Sequence, residues 1–76
     1  MNKKRRIRIE KVVSTLEDMS AEISDIMQEE QEAYDNMPES LQYSERGERM
    51  SEIVDAFDSI ISDIDYIIEQ LTETTA

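Results

Sequence analysis

Carboxylates are the side chains of this chain best suited to chemistry, because it contains 19 Asp and Glu residues but no histidine and no cysteine. Paired carboxylates can act as general acid and base, and clusters of them can bind divalent metal ions. The Asp63–Asp65 pair lies in a run without glycine, unlike a calcium loop, and the Glu-x-x-His pairs of di-metal helix bundles are missing. We therefore expect no catalytic residue, no metal site, no cofactor and no enzyme activity.

Acidic side chains also form the first candidate binding surface. Asp55, Asp58, Asp63 and Asp65 could imitate the phosphates of a nucleic acid and occupy a basic groove in a partner protein. The alternative is a solvated helix face that keeps the protein soluble.

Charge is distributed unevenly along the chain, whose net charge is −11. Residues 1–11, the basic segment, carry six basic side chains and one acidic one, whereas residues 12–76, the body, carry two basic and eighteen acidic side chains. A basic protein is thus the expected partner of the body. The basic segment could contact nucleic acid or an anionic membrane, but it has no aromatic residue for base stacking. Docking on the acidic body, within or between subunits, is the alternative, so direct nucleic-acid binding is not expected.

Apolar residues spaced three and four apart predict the elements that carry these charges. Such a spacing is typical of α-helices that pack lengthwise. The first series is Ile9, Val12, Leu16, Met19, Ile23, Ile26, Glu30, Ala33 and Met37, and the second is Met50, Ile53, Phe57, Ile60, Ile64, Ile67 and Leu71. The chain is predicted to be all-α, as one antiparallel two-helix hairpin with helices over about residues 4–35 and 45–72.

The segment 36–44 is the predicted turn, because Pro38 lacks an amide hydrogen and disfavours helix in the preceding residue. A short helical turn is expected after Pro38, with Leu41 and Tyr43 covering the end of the core and Ser44 as N-cap of the second helix. Gly47 is costly inside a helix, which indicates either close packing of another backbone or tolerance near a fraying end. The candidate docking residues of this region are Pro38, Glu39, Ser40, Leu41, Glu45 and Arg46.

The apolar face of the second helix is wider than a two-helix contact needs. Val54, Ile61 and Ile68 repeat every seven residues beside the main series, and three apolar positions per heptad are typical of a bundle. We expect these three residues to form a dimer face, so that two hairpins pair into a four-helix bundle. Coverage of the same stripe by another protein is the alternative.

Neither a signal peptide nor a membrane span is recognisable. The basic start is followed by alternating charged and apolar residues, and no apolar run approaches the roughly 20 residues that cross a bilayer. A cytoplasmic location without membrane contact is the expectation.

The turn sequence Asn36-Met37-Pro38-Glu39-Ser40-Leu41-Gln42-Tyr43-Ser44-Glu45-Arg46-Gly47 resembles a motif of small helical-hairpin proteins from phages and prophages of low-GC Gram-positive bacteria. The shared pattern is Asn-x-Pro-Glu-Ser-Leu-Gln-x-Ser-Glu-Arg-Gly followed by apolar heptads, and it covers about half the chain. The resemblance implies a phage setting in a bacterial host cell but no mechanism.

In that setting the sequence favours a small, acidic, non-enzymatic protein-binding module that inhibits a host protein, as an anti-defence protein or a nucleic-acid mimic would. The alternative is a structural adaptor, a dimeric coiled-coil bundle that scaffolds a larger assembly.

Overall fold

The computed structural model describes residues 1–76 as three α-helices without strands. Helix α1 spans Lys3–Asp35, α2 spans Glu39–Gln42 and α3 spans Glu45–Thr74. Helices α1 and α3 pack lengthwise in an elongated molecule of 58 × 15 × 13 Å. The all-α helical hairpin predicted from the sequence is confirmed. None of the three helices combines the length and apolar composition needed to cross a bilayer.

Side chains at the helix ends satisfy backbone groups that have no partner within the helix. The Asn2 side chain accepts a hydrogen bond from the backbone N–H of Arg5 (2.9 Å) at the start of α1. Ser44 caps α3 as predicted, since its hydroxyl accepts a hydrogen bond from the Gly47 N–H (3.4 Å). Between them, α1 runs uninterrupted because no proline or glycine precedes Pro38.

The short helix α2 confirms the predicted turn after Pro38, whose carbonyl accepts hydrogen bonds from the N–H groups of Leu41 (2.8 Å) and Gln42 (3.1 Å). The prediction that Leu41 and Tyr43 cover the core is wrong, because their exposed fractions are 47% and 77%. Gln42 lies inward instead. Its side-chain Nε2 donates to the carbonyls of Tyr34 (3.1 Å) and Met37 (3.3 Å) and so joins the turn to the end of α1.

Gly47 is the one fully buried residue of the chain. A Cβ atom there would lie 2.6 Å from the carbonyl oxygen of Leu41 and closer still to the carbonyl of Gln42. No ordinary side chain tolerates such a distance to backbone atoms. Close backbone packing, the first of the two sequence interpretations, therefore accounts for this glycine.

Half-buried residues mark the line along which the two long helices meet, and they recur at alternating steps of four and three. In α1 the line consists of Ile9, Val13, Leu16, Ser20, Ile23, Met27, Glu30 and Tyr34. In α3 it consists of the buried Gly47 and the half-buried Met50, Val54, Phe57, Ile61, Ile64, Ile68 and Leu71, and the half-buried Ile53 lies beside it. Ser20 and Glu30 are the two polar side chains in the α1 line.

The hairpin has no buried apolar side chain, and its accessible surface is 5910 Å². A compact monomer of 8.9 kDa is expected to expose about 4,800 Å². The excess of about 1,100 Å² arises because two helices in one layer cannot enclose a core. Little apolar surface is therefore buried within one chain.

Candidate protein-binding surfaces

Several large apolar side chains of the two long helices lie outside the interhelical line, and five exposed ones follow one flank of it. They are Val12 (49% exposed), Met19 (50%), Ile26 (40%), Ile60 (41%) and Ile67 (44%). In α1 each of them follows a line residue by three positions, as Met19 follows Leu16, and in α3 Ile60 follows Phe57 in the same way. In each helix these exposed apolar residues therefore form a stripe beside the interhelical line. The stripe lies on the equivalent flank of the line in α1 and in α3.

The two stripes emerge on the same side of the hairpin. Traced from N to C terminus, a right-handed helix turns clockwise when it runs away from the viewer and anticlockwise when it runs toward the viewer. Equivalent flanks of two antiparallel helices therefore face the same way. Val12, Met19 and Ile26 thus adjoin Ile60 and Ile67 across the groove between the helices. We call these five residues the open apolar face.

This arrangement corrects the predicted position of the dimer face. Val54, Ile61 and Ile68 are half-buried residues of the line that faces α1, whereas Ile60 and Ile67, predicted in that line, are exposed. The physical reason is the contact at Gly47, which lies seven residues before Val54 and so on the same side of α3. When Gly47 faces the α2 backbone, the residues that follow it at seven-residue intervals, Val54, Ile61 and Ile68, face α1.

The four acidic candidates do not share one face. All four are exposed, but a rotation of about 100° per residue places Asp63 roughly 140° around the helix from Asp58. Asp58 and Asp65 lie within about 20° of each other, and Asp55 lies next to them. Asp55, Asp58 and Asp65 form what we call the acidic side of α3, which is opposite the open apolar face.

Very little of the acidic charge of the body is neutralised within the chain. Seventeen of its eighteen carboxylate residues are exposed, and Glu30 is the half-buried exception. The single ion pair joins Arg49 to Glu52 (3.6 Å), and both of its side chains are about 70% exposed. Such an exposed pair is strongly screened by water, so the surface keeps its negative potential.

The basic segment forms the first turns of α1, and its six basic side chains are exposed and make no ion pair with the body. A shallow depression lies on this segment, lined by Met1, Arg5, Arg8, Ile9, Lys11 and Val12. Because Val12 belongs to the open apolar face, the depression continues that face at the end of the hairpin away from the turn. The apolar face thus has a positively charged end.

The candidate docking residues of the turn, Pro38, Glu39, Ser40, Leu41, Glu45 and Arg46, are all exposed. No side chain among them makes a hydrogen bond or ion pair within the chain, so they are available to a partner. The turn residues that hold the fold are Gln42, Ser44 and Gly47. The structural role of the Gln42 side chain was not predicted from the sequence. Its position as a polar residue beside Leu41 in a tight turn was the signal that could have indicated this role.

No group of three or more Asp, Glu, His or Cys side chains in the molecule could hold a metal ion. The phage setting implied by the turn sequence stays a prediction. Comparison of the chain with protein-family models, curated proteins and solved structures found no match.

Proposed function

We propose that this chain is a small, non-enzymatic, phage-encoded protein-binding module that inhibits a host protein by occupying a basic groove. The observation that supports this proposal is the unneutralised acidic surface, with seventeen exposed carboxylates in the body and a single exposed ion pair. The phage setting comes from the turn sequence, and the bacterial cytoplasm would be the place of action.

Occlusion requires shape and charge rather than reactive groups. A rod 58 Å long and about 15 Å wide can lie in a groove that normally holds a nucleic acid, and its carboxylates can pair with the basic residues that bind phosphates. Asp55, Asp58 and Asp65 project from one side of α3 at spacings of three and seven residues. They are the residues through which we expect contact.

Salt-dependent binding tests this role. The wild-type protein, immobilised, is incubated with bacterial lysate at low salt and eluted with a salt gradient. Asp55→Lys/Asp58→Lys/Asp65→Lys is expected to abolish retention of the partner while circular dichroism shows the helices intact.

The matched control is Asp18→Lys/Asp25→Lys/Glu32→Lys, because it changes the net charge equally on the exposed outer face of α1. This control is expected to retain the partner. Two results would refute the hypothesis that the acidic side of α3 binds the partner. One is retention of the partner that does not change with salt, and the other is equal loss of the partner with both triple variants.

A structural adaptor is the second candidate, and the open apolar face supports it. Covering large apolar side chains stabilises an assembly by about 1.5–3 kcal/mol for each that becomes fully buried. An adaptor would bind its partners in a salt-tolerant way, and alanine at Val12, Ile26 and Ile67 would weaken the assembly. The salt gradient therefore separates the two roles.

A further inference from the structure

We infer that the open apolar face takes a second copy of this chain, with the turns of the two hairpins at opposite ends of a four-helix bundle. This inference is independent of the proposed inhibition, because the acidic side of α3 lies opposite the open apolar face and remains outside the bundle.

The surface area is the first argument for a second copy. The chain exposes about 1,100 Å² more than a compact protein of its mass, and a stable interface buries about 800 Å² on each partner. A second hairpin, laid lengthwise on the first, matches the open apolar face in length and covers Val12, Met19, Ile26, Ile60 and Ile67 at once.

Charge decides the orientation. The end of the hairpin away from the turn, residues 1–11 and 69–76, carries six basic and three acidic side chains. The turn end, residues 29–48, carries one basic and seven acidic side chains. Two hairpins with turns at the same end would place like charges together, whereas opposite ends place the positive end of each copy over the negative turn of the other.

The depression on the basic segment fits this orientation. Arg5 and Arg8 line it beside Val12, at the positive end of the open apolar face. In a bundle with opposed turns, this depression lies over the turn end of the second copy, where Glu29 flanks the apolar face. The twofold axis then passes near the middle of the face, at Met19 and Ile60.

Mass measurements test the contact face. Sedimentation equilibrium at micromolar concentration is expected to give twice 8.9 kDa for the wild-type chain. Met19→Glu/Ile60→Glu is expected to halve that mass, because it brings four carboxylates together at the axis. Ala21→Glu/Ser62→Glu adds the same charges at exposed positions on the opposite side of the hairpin and is expected to keep the dimer mass. A monomeric wild-type chain, or a dimer that survives Met19→Glu/Ile60→Glu, would overturn the inference.

A distance measurement tests the orientation without disturbing the face. The chain has no cysteine, so Glu39→Cys supplies a single exposed site in the turn for a spin label. Opposed turns place the two labels on the order of 50 Å apart, since α1 alone is about that long. Turns at the same end would place them within about 20 Å, two interhelical spacings, and would overturn the inferred orientation even if the protein is a dimer.

Discussion

The backbone carbonyl of Gln42 lies directly against Gly47, where a side chain would collide with it. Gln42 also donates its side-chain amide to the carbonyls of Tyr34 and Met37 at the end of α1. One residue of the turn thus contacts both long helices. It determines which face of α3 turns toward α1.

Gly47→Ala is expected to destabilise the hairpin by about 1–3 kcal/mol, because the added methyl group forces the α2 backbone away from α3. The higher helix propensity of alanine, worth up to about 1 kcal/mol, offsets part of this cost. Urea unfolding followed by circular dichroism at one fixed chain concentration measures the change. Ser62→Ala, at an exposed position in the same helix, serves as control and is expected to change stability by less than about 0.5 kcal/mol. A Gly47→Ala variant as stable as wild type would show that the close approach is not required.

Gln42→Ala is expected to lower the free energy of unfolding by about 1–2 kcal/mol, since two carbonyls near the turn lose their side-chain donor. Gln31→Ala provides the comparison, because it removes an exposed hydrogen bond to Asp35 (2.9 Å) within α1 and should cost much less. Amide hydrogen exchange in residues 36–47 is expected to accelerate in Gln42→Ala but not in Gln31→Ala. Equal costs for the two substitutions would contradict a structural role for Gln42.

Ser44→Ala is expected to cost about 1 kcal/mol, because the N-cap hydroxyl no longer accepts the N–H of Gly47. Ser44→Asp retains an acceptor and adds a favourable charge at the positive end of α3, so it is expected to restore the stability. Thermal unfolding of the three proteins measures the difference. Failure of Ser44→Asp to exceed Ser44→Ala in stability would argue against the capping role.

Glu30→Leu is expected to raise stability by about 1–2 kcal/mol, because it places an apolar side chain at a half-buried position of the interhelical line. A leucine side chain has fewer heavy atoms than a glutamate side chain, so the substitution does not overfill the line. Glu32→Leu, at an exposed position of the same helix, is the control for charge and helix propensity. Equal effects at both positions in urea unfolding would mean that Glu30 lies in water rather than against α3.

Local chemistry made much of this structure predictable from the sequence. The two helices follow from three- and four-residue apolar spacing and good helix formers, the break follows from Pro38, and the start of α3 follows from Ser44. Each of these signals acts within a few residues. They specify helices, turn and caps but not how the helices rotate about their axes.

That rotation was decided by the tertiary structure. Each helix has three apolar positions per heptad, so the apolar spacing is compatible with two rotations of α3. One turns Ile60 and Ile67 inward, and the other turns Ile61 and Ile68 inward. Sequence periodicity cannot distinguish them, because neighbouring residues differ by only about 100° around the helix. The packing of Gly47 against Gln42 selects the second rotation and leaves Ile60 and Ile67 on the open apolar face.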